Sequence, residues 1–261
     1  MQVIIRPDKN AVSKLAAEIV EQRIRNHPHS VLGLATGSTM ESLYALLVEK
    51  HRKTNLDFSL LRTYNLDEYI GIPAEHPSSY RSYMNRHLFS QVNIDLRNTY
   101  LPNGMAQDFK VECHTYEENL RLDGGIDLQL LGLGRSGHIG FNEPLSALKS
   151  RTREKALTPT TVEQNKDFFD PPSSMPKRAV TMGVGTILEA KRILLLATGE
   201  HKAKILAQAV EGPVTSMVTA SALQLHEDCT VIVDEDAGKF LKEKEYYNWI
   251  FDNEPEWENF K

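Results

Sequence analysis

His138 and Glu143 stand five residues apart in "GLGRSGHIGFNEP" (residues 132–144), just past an apolar run that reads as a buried strand. An imidazole and a carboxylate delivered by one turn can pass a proton, because histidine changes charge near neutrality and a nearby carboxylate favours its charged form. A second pair of acids, Asp67 and Glu68, closes "YNLDEY" (64–69) at the end of another strand-like run. Neighbours on a persisting strand point to opposite faces, so only one of these two can enter a shared pocket. A third group, "LGLATGST" (32–39), runs an apolar strand into a Gly/Thr/Ser turn and then a helix. The backbone N–H groups at such a helix start, with hydroxyls beside them, suit an anion. It lacks the lysine of a P-loop, which disfavours a nucleoside triphosphate. Each feature also has a plainer reading, as a packed histidine, solvated loop acids and a helix cap.

Gly132, Gly134 and Gly137 also match G-x-G-x-x-G, the opening of many dinucleotide sites. In such a site the glycines lead straight into a helix, and an acidic residue ends the next strand about 20 residues on. Here Gly140 and Pro144 follow within seven residues and make an uninterrupted helix unfavourable. The region where the second strand should arrive is the polar "SRTREKALT" (150–158). The glycines therefore read as room for a turn passing close to a small ligand at the carboxyl end of a strand.

These groups need strands and helices to hold them. Asp8 is placed to cap a helix bearing Val12, Leu15, Ala16, Ile19 and Val20 on one face. "SVLGLA" (30–35), "LLRTYNLDEY" (60–69), "IDLQLLGLG" (126–134), "RILLLAT" (192–198) and "CTVIVD" (229–234) read as strands, separated by helical patterns that include 78–89 and 203–210. Strands without polar alternation between amphipathic helices imply an α/β fold: a Rossmann-like, mainly parallel sheet with helices on both faces. No linker or repeat divides the 261 residues, so a single domain is expected over 1–261. The segment near 150–180, with "DPPSSMPKR" (170–178), reads as a surface loop or lid. The aromatic, acidic tail reads as helical and packed on the body or on a neighbouring subunit.

Thirty basic against thirty-five acidic residues give a net charge of −5, which argues against a nucleic-acid surface. Cys113 and Cys229 lie far apart with no metal-site spacing, and read as reduced thiols. No apolar run nears the roughly 20 residues of a membrane span, and the N-terminus fails as a secretory signal. A cytoplasmic protein with a small-molecule partner is expected, with a homo-oligomer left open.

Taken in order, "GLATGST", "TYNLDEYIGIP", "EHPSSY", "GLGRSGHIGFNEP", "MGVGTILEA" and "VEGPVTSMVTASALQLH" resemble the glucosamine-6-phosphate deaminase family from about Val31 to Asp234. The resemblance implies conversion of glucosamine 6-phosphate and water to fructose 6-phosphate and ammonium, an isomerisation with hydrolytic deamination, without metal or organic cofactor. It implies that Asp67 moves the C2 proton and that His138, oriented by Glu143, opens the sugar ring. Thr36, Gly37, Ser38, Thr39 and Lys202 would hold the phosphate. Ser146, Arg153 and Lys155 match positions that serve a regulatory N-acetylated sugar phosphate in some members. Two departures stand out. Ser136 occupies a position usually Asp or Asn beside the histidine, and Asp167, with Lys166 next to it, stands where an arginine is frequent. A 6-phosphogluconolactonase-like hydrolase would lack the "FNEP" continuation. A non-catalytic sugar-phosphate sensor would ordinarily carry a DNA-binding module for which this chain has no room.

Overall fold

The computed structural model describes residues 1–261. The unalternating runs of Val, Ile and Leu form the strands of one seven-stranded sheet, all parallel. In chain order the first elements are β1 (Gln2–Arg6), α1 (Lys9–Asn26), β2 (Val31–Leu34), α2 (Ser38–Thr54) and β3 (Arg62–Asn65). They are followed by β4 (Asp67–Tyr69), α3 (Tyr80–His87), β5 (Thr99–Tyr100), α4 (Phe109–Leu122) and β6 (Leu128–Gly132). The second half contains β7 (Arg153–Ala156), α5 (Pro159–Asn165), β8 (Arg178–Thr181), α6 (Val184–Leu188) and β9 (Ile193–Ala197). It closes with α7 (Ala203–Glu211), β10 (Cys229–Asp234) and α8 (Lys244–Asn253).

The sheet order is β1-β10-β9-β6-β2-β3-β5. From β2 the chain winds outward one way to β3 and β5, then returns to β6 and winds the other way. The carboxyl ends of β2 and β6 therefore flank the topological switch point, where open α/β sheets bind their ligands. Every residue of β9 and β10 is buried, as expected for strands covered on both faces. The expected single-domain, Rossmann-like α/β architecture is what the chain adopts.

Two local rules set the helices. Asp8 accepts the Ala11 N–H at 2.9 Å, capping α1, whose Val12, Leu15, Ala16, Ile19 and Val20 are buried. α3 starts at Tyr80 because Ser79 caps it, accepting from Ser82 N–H at 3.0 Å. The tail is also held by the body: Trp257 is fully buried and donates to the Gln2 side chain at 2.9 Å, while Trp249 on α8 stays exposed.

The run 60–69 is not one strand. β3 ends at Asn65, and Leu66 turns the chain, its N–H bonding Leu34 and its carbonyl accepting from Met182. β4 then joins a separate antiparallel sheet in the order β4-β8-β7. The polar stretch 150–158 thus supplies β7, an edge strand with alternating half-buried and exposed residues. The segment expected as a loop or lid is β7, α5, two short 3₁₀ turns and β8. It encloses a satellite core of Tyr69, Phe141, Leu157, Phe169, Met175 and Ala179, so Met175 of the Pro/Ser cluster is buried rather than on the surface.

Candidate active site

β6 ends at Gly132, and no helix follows until residue 159. The polypeptide from Gly134 to Pro144 instead curls back, with Gly134 N–H bonded to the His138 carbonyl at 2.9 Å and Gly137 N–H to that of Gly134 at 3.0 Å. The His138 ring lies directly over Gly134: a Cβ there would come within 2.1 Å of His138 Nε2. Glycine is required at this position by the imidazole, not by a pyrophosphate.

His138 Nδ1 lies 2.7 Å from Ser136 Oγ and 3.2 Å from Glu143 Oε2. The serine therefore keeps hydrogen-bonding contact with the imidazole but brings no charge of its own. Glu143 is 2% exposed. Burial by itself raises its pKa, but the hydrogen bond and charge of His138, then the hydroxyls of Thr161 and Thr158, outweigh it and hold the carboxyl down at about 2. Thr158 Oγ1 donates to Glu143 Oε1 at 3.1 Å, and Thr161 Oγ1 donates to the same oxygen.

The adjacent acids of β4 separate as strand geometry requires. Glu68 turns to the start of α3, accepting from Tyr69 N–H at 2.9 Å, Tyr80 N–H at 3.0 Å and Arg81 N–H at 3.0 Å. It caps that helix. Asp67, 6% exposed, turns the other way, and no protein donor reaches its carboxyl. Its Oδ2 is 3.4 Å from where a Cβ on Gly140 would stand, and Gly140 has φ +54°. A bare backbone in a left-handed conformation thus lets the histidine turn come up against the aspartate. Burial, and secondarily the charge of Glu68, push Asp67 up to about 8.

The third group lies at the end of β2. Gly37, with φ +112°, precedes the first residue of α2, and Met40 N–H already bonds the Gly37 carbonyl at 2.9 Å. The hydroxyls of Ser38 and Thr39 make no bond to protein, and Thr36 approaches the Tyr80 phenol. Lys202 follows β9, the neighbour of β6, and is pressed down to about 8 by burial and then by the charge of Arg135. Arg135 is exposed, forms no ion pair, and sits on the histidine turn. Sequence reasoning passed over it, because one arginine in a glycine-rich turn carries no pattern; only the adjacency of β6 and β9 puts it near Lys202. Lys166 forms an ion pair with Glu163 at 2.5 Å, and Asp167 is exposed.

The three remaining sequence candidates lie behind the turn. Ser146 is buried and its N–H bonds the Glu143 carbonyl at 3.0 Å, while Arg153 Nη1 donates to Asn142 Oδ1 at 2.9 Å. Lys155 follows Arg153 on the same face of β7, and no hydrogen bond joins the three. A cavity of about 1070 Å³ opens on this side, lined by residues of α4, β7 and α6, among them Arg151, Glu117 and Arg153. Neither Asp67 nor His138 nor Glu143 lines it. Nowhere do three or more His, Cys, Asp or Glu side chains gather as a metal-binding set, and no helix is long and apolar enough to cross a membrane.

Residues 8–232 match the family model described as glucosamine-6-phosphate isomerases/6-phosphogluconolactonase. The chain belongs to this family. It is 48% identical over 250 residues to a glucosamine-6-phosphate deaminase of Hahella chejuensis, covering 96% of this chain and 95% of that one. With a glucosamine-6-phosphate deaminase of Streptomyces coelicolor it shares 47% identity over 259 residues, 99% of each chain. Among solved structures, a monomeric glucosamine-6-phosphate deaminase superposes with a TM-score of 0.90 at 43% identity, over 92% of this chain and 99% of that one. A 6-phosphogluconolactonase from Trypanosoma cruzi, at 22% identity and a TM-score of 0.73 over 92% of this chain and 97% of that one, shares the fold. The family assignment drawn from the sequence motifs stands on the family model and the deaminase relatives.

Proposed function

We propose that this protein converts glucosamine 6-phosphate and water to fructose 6-phosphate and ammonium, with Asp67, His138 and Glu143 as the acid–base set. The observation that carries this reading is the seating of Gly140 against Asp67, which joins the histidine turn to the aspartate in one site. The deaminase relatives of nearly full length support the choice of substrate.

A pyranose hides its carbonyl, so the ring must open first. His138 carries the proton between the hemiacetal hydroxyl and the ring oxygen, and Glu143 orients the imidazole through Nδ1. The open aldehyde acidifies the hydrogen on C2, and Asp67 takes that proton to give an enolamine. Returning it to C1 on the same face gives a ketimine, which water hydrolyses at C2 with loss of ammonia. Asp67 has no protein donor and lies beside Glu68, so it is a strong base once ionised. The ammonium group that the substrate carries at C2 supplies the favourable charge to ionise it. Thr36, Gly37, Ser38 and Thr39 at the start of α2, with Lys202 and Arg135 opposite, take the phosphate and fix the sugar remote from the reacting carbons.

The test is to incubate the folded protein with glucosamine 6-phosphate and assay both products. Fructose 6-phosphate and ammonium should appear in equal amounts, and 6-phosphogluconolactone should not be hydrolysed above the spontaneous rate. Absence of both products from correctly folded protein would defeat the assignment.

A further inference from the structure

The side of Glu143 that faces away from His138 is as closely built as the side that faces it. Oε2 approaches the imidazole, while Oε1 accepts from Thr161 Oγ1 and, at 3.1 Å, from Thr158 Oγ1. Both threonines belong to the start of α5, within the segment 150–180 that crosses over the site. Thr158 is the N-cap of α5, accepting from Thr161 N–H at 3.3 Å, and the two hydroxyls lie 3.2 Å apart. One helix start thus presents two hydroxyls to one carboxylate oxygen. Thr161 is 4% exposed and Glu143 2%, so solvent is poorly placed to replace either donor.

The same segment is fastened to the strand that carries the aspartate. Asn165 Nδ2, at the last turn of α5, donates to the Tyr69 hydroxyl at 3.1 Å, and Tyr69 lies two residues beyond Asp67 on β4. The Tyr69 ring packs on Phe169 and Phe141 at centroid distances of 5.3 and 5.6 Å. Phe141 belongs to the histidine turn itself. α5 is therefore gripped from both sides of the site.

Resting on the reading that Glu143 orients His138, we propose that Thr161, seconded by Thr158, is a positioning residue: its hydroxyl clamps Oε1 so that only Oε2 is left to face the imidazole. A carboxylate bound on one oxygen alone can rotate about its last side-chain bond and offer His138 either oxygen. With Oε1 tied to α5, the orientation is single. Removing the Thr161 hydroxyl leaves the buried Oε1 with only the longer bond from Thr158, and the lost donor favours protonation of the carboxyl. The other charged groups around Glu143 do not supply a substitute. His138 is the one titratable group bonded to it, Arg153 on β7 is engaged with Asn142 Oδ1, and Asp67 on β4 abuts Gly140.

Thr161→Val keeps the shape of the side chain and removes the donor, whereas Thr161→Ser keeps the donor and removes the methyl group. In Thr161→Val, kcat should fall about tenfold with little change in KM, and the acid limb of the kcat profile should move to higher pH. Thr161→Ser should return both to near the unsubstituted values, and Thr158→Val should add a smaller loss. Independently of activity, the Glu143 carboxyl carbon, assigned in NMR spectra by comparison with Glu143→Gln, should titrate about one pH unit higher in Thr161→Val. The clamp is refuted if the Thr158→Val/Thr161→Val double variant keeps both its kcat profile and its Glu143 titration. It is equally refuted if Thr161→Ser is as impaired as Thr161→Val, because packing would then be the cause. Should the NMR shift appear while the unsubstituted protein releases no ammonium, the clamp stands and the reaction assigned above falls.

Discussion

Asp67, the first residue of β4, and Glu143, in the turn after β6, are both buried carboxyl groups, and their surroundings drive them in opposite directions. Glu143 is met by an imidazole on one oxygen and by two threonine hydroxyls on the other, and it is held down at about 2. Asp67 is met by no protein donor and has another acid next to it in sequence, and it is pushed up to about 8. Burial is common to both and therefore cannot decide the charge. What decides it is the count of donors, and that count follows from which piece of chain each side chain is turned toward. On the proposed reaction the pair would divide the labour of acid–base catalysis: Glu143 charged to orient, Asp67 able to gain and lose a proton near neutrality.

The largest effect should come from removing the group with no donors. Asp67→Asn should lower kcat by about 10³–10⁴-fold while leaving the binding of glucosamine 6-phosphate nearly intact, as measured by ammonium release and by equilibrium binding. Glu143→Gln should cost about 10²-fold in kcat, because it keeps the shape but leaves His138 without its charged partner. Equal losses in the two variants would remove the distinction between base and orienting group.

The two sites should also separate by pH. The unsubstituted protein should gain kcat/KM as pH rises toward about 8, where free Asp67 ionises. Glu68→Gln should move that limb to lower pH by removing the neighbouring charge, and an unmoved limb would mean that burial alone sets it. In unfolding by urea the signs are opposite. Glu143 has a depressed value in the fold, so its contribution is complete above about 4.5 and is lost as pH falls toward 2. The stability advantage of the protein over Glu143→Gln should shrink over that range. Asp67 has a raised value, so its contribution is greatest at low pH and is lost as pH rises from about 4 through about 8. Asp67→Asn should therefore be relatively more stable at pH 9 than at pH 5.

The smallest expected effect concerns the phosphate. Arg135 is exposed and screened by solvent, so Arg135→Gln should raise KM about fivefold with kcat unchanged, and it should raise the titration of Lys202 by removing the neighbouring positive charge. A change in kcat instead would place Arg135 with the acid–base set.

Much of this was readable along the chain. The residues of β2, β6, β9 and β10 announce themselves as unbroken apolar runs, and the turn after β6 excludes a nucleotide helix through Gly140 and Pro144. Asp67, His138, Glu143 and the cradle at Thr36–Thr39 stand out as candidates because they follow strand-like runs. Three things were not readable. The break at Leu66 has no Gly or Pro to mark it, since it is made by bonds to Leu34 and Met182 from distant parts of the chain. β7 falls in the polar stretch read as part of a loop or lid, because an edge strand of a small sheet can be built from Arg, Glu and Lys. Thr158 and Thr161 lie in the stretch read as a loop or lid, and nothing local ties them to Glu143, because they start a helix that only the fold brings there.

The order of residues thus determined which side chains could do chemistry and that they would stand at or beyond strand ends, because hydrophobic runs and turn residues act over a few positions. Only the assembled sheets decided that Asp67 meets the Gly140 turn while Glu68 caps a helix, and that α5 reaches Glu143. Those contacts join segments up to about seventy residues apart, and the donors and neighbouring charges that set each carboxyl come from the far partner.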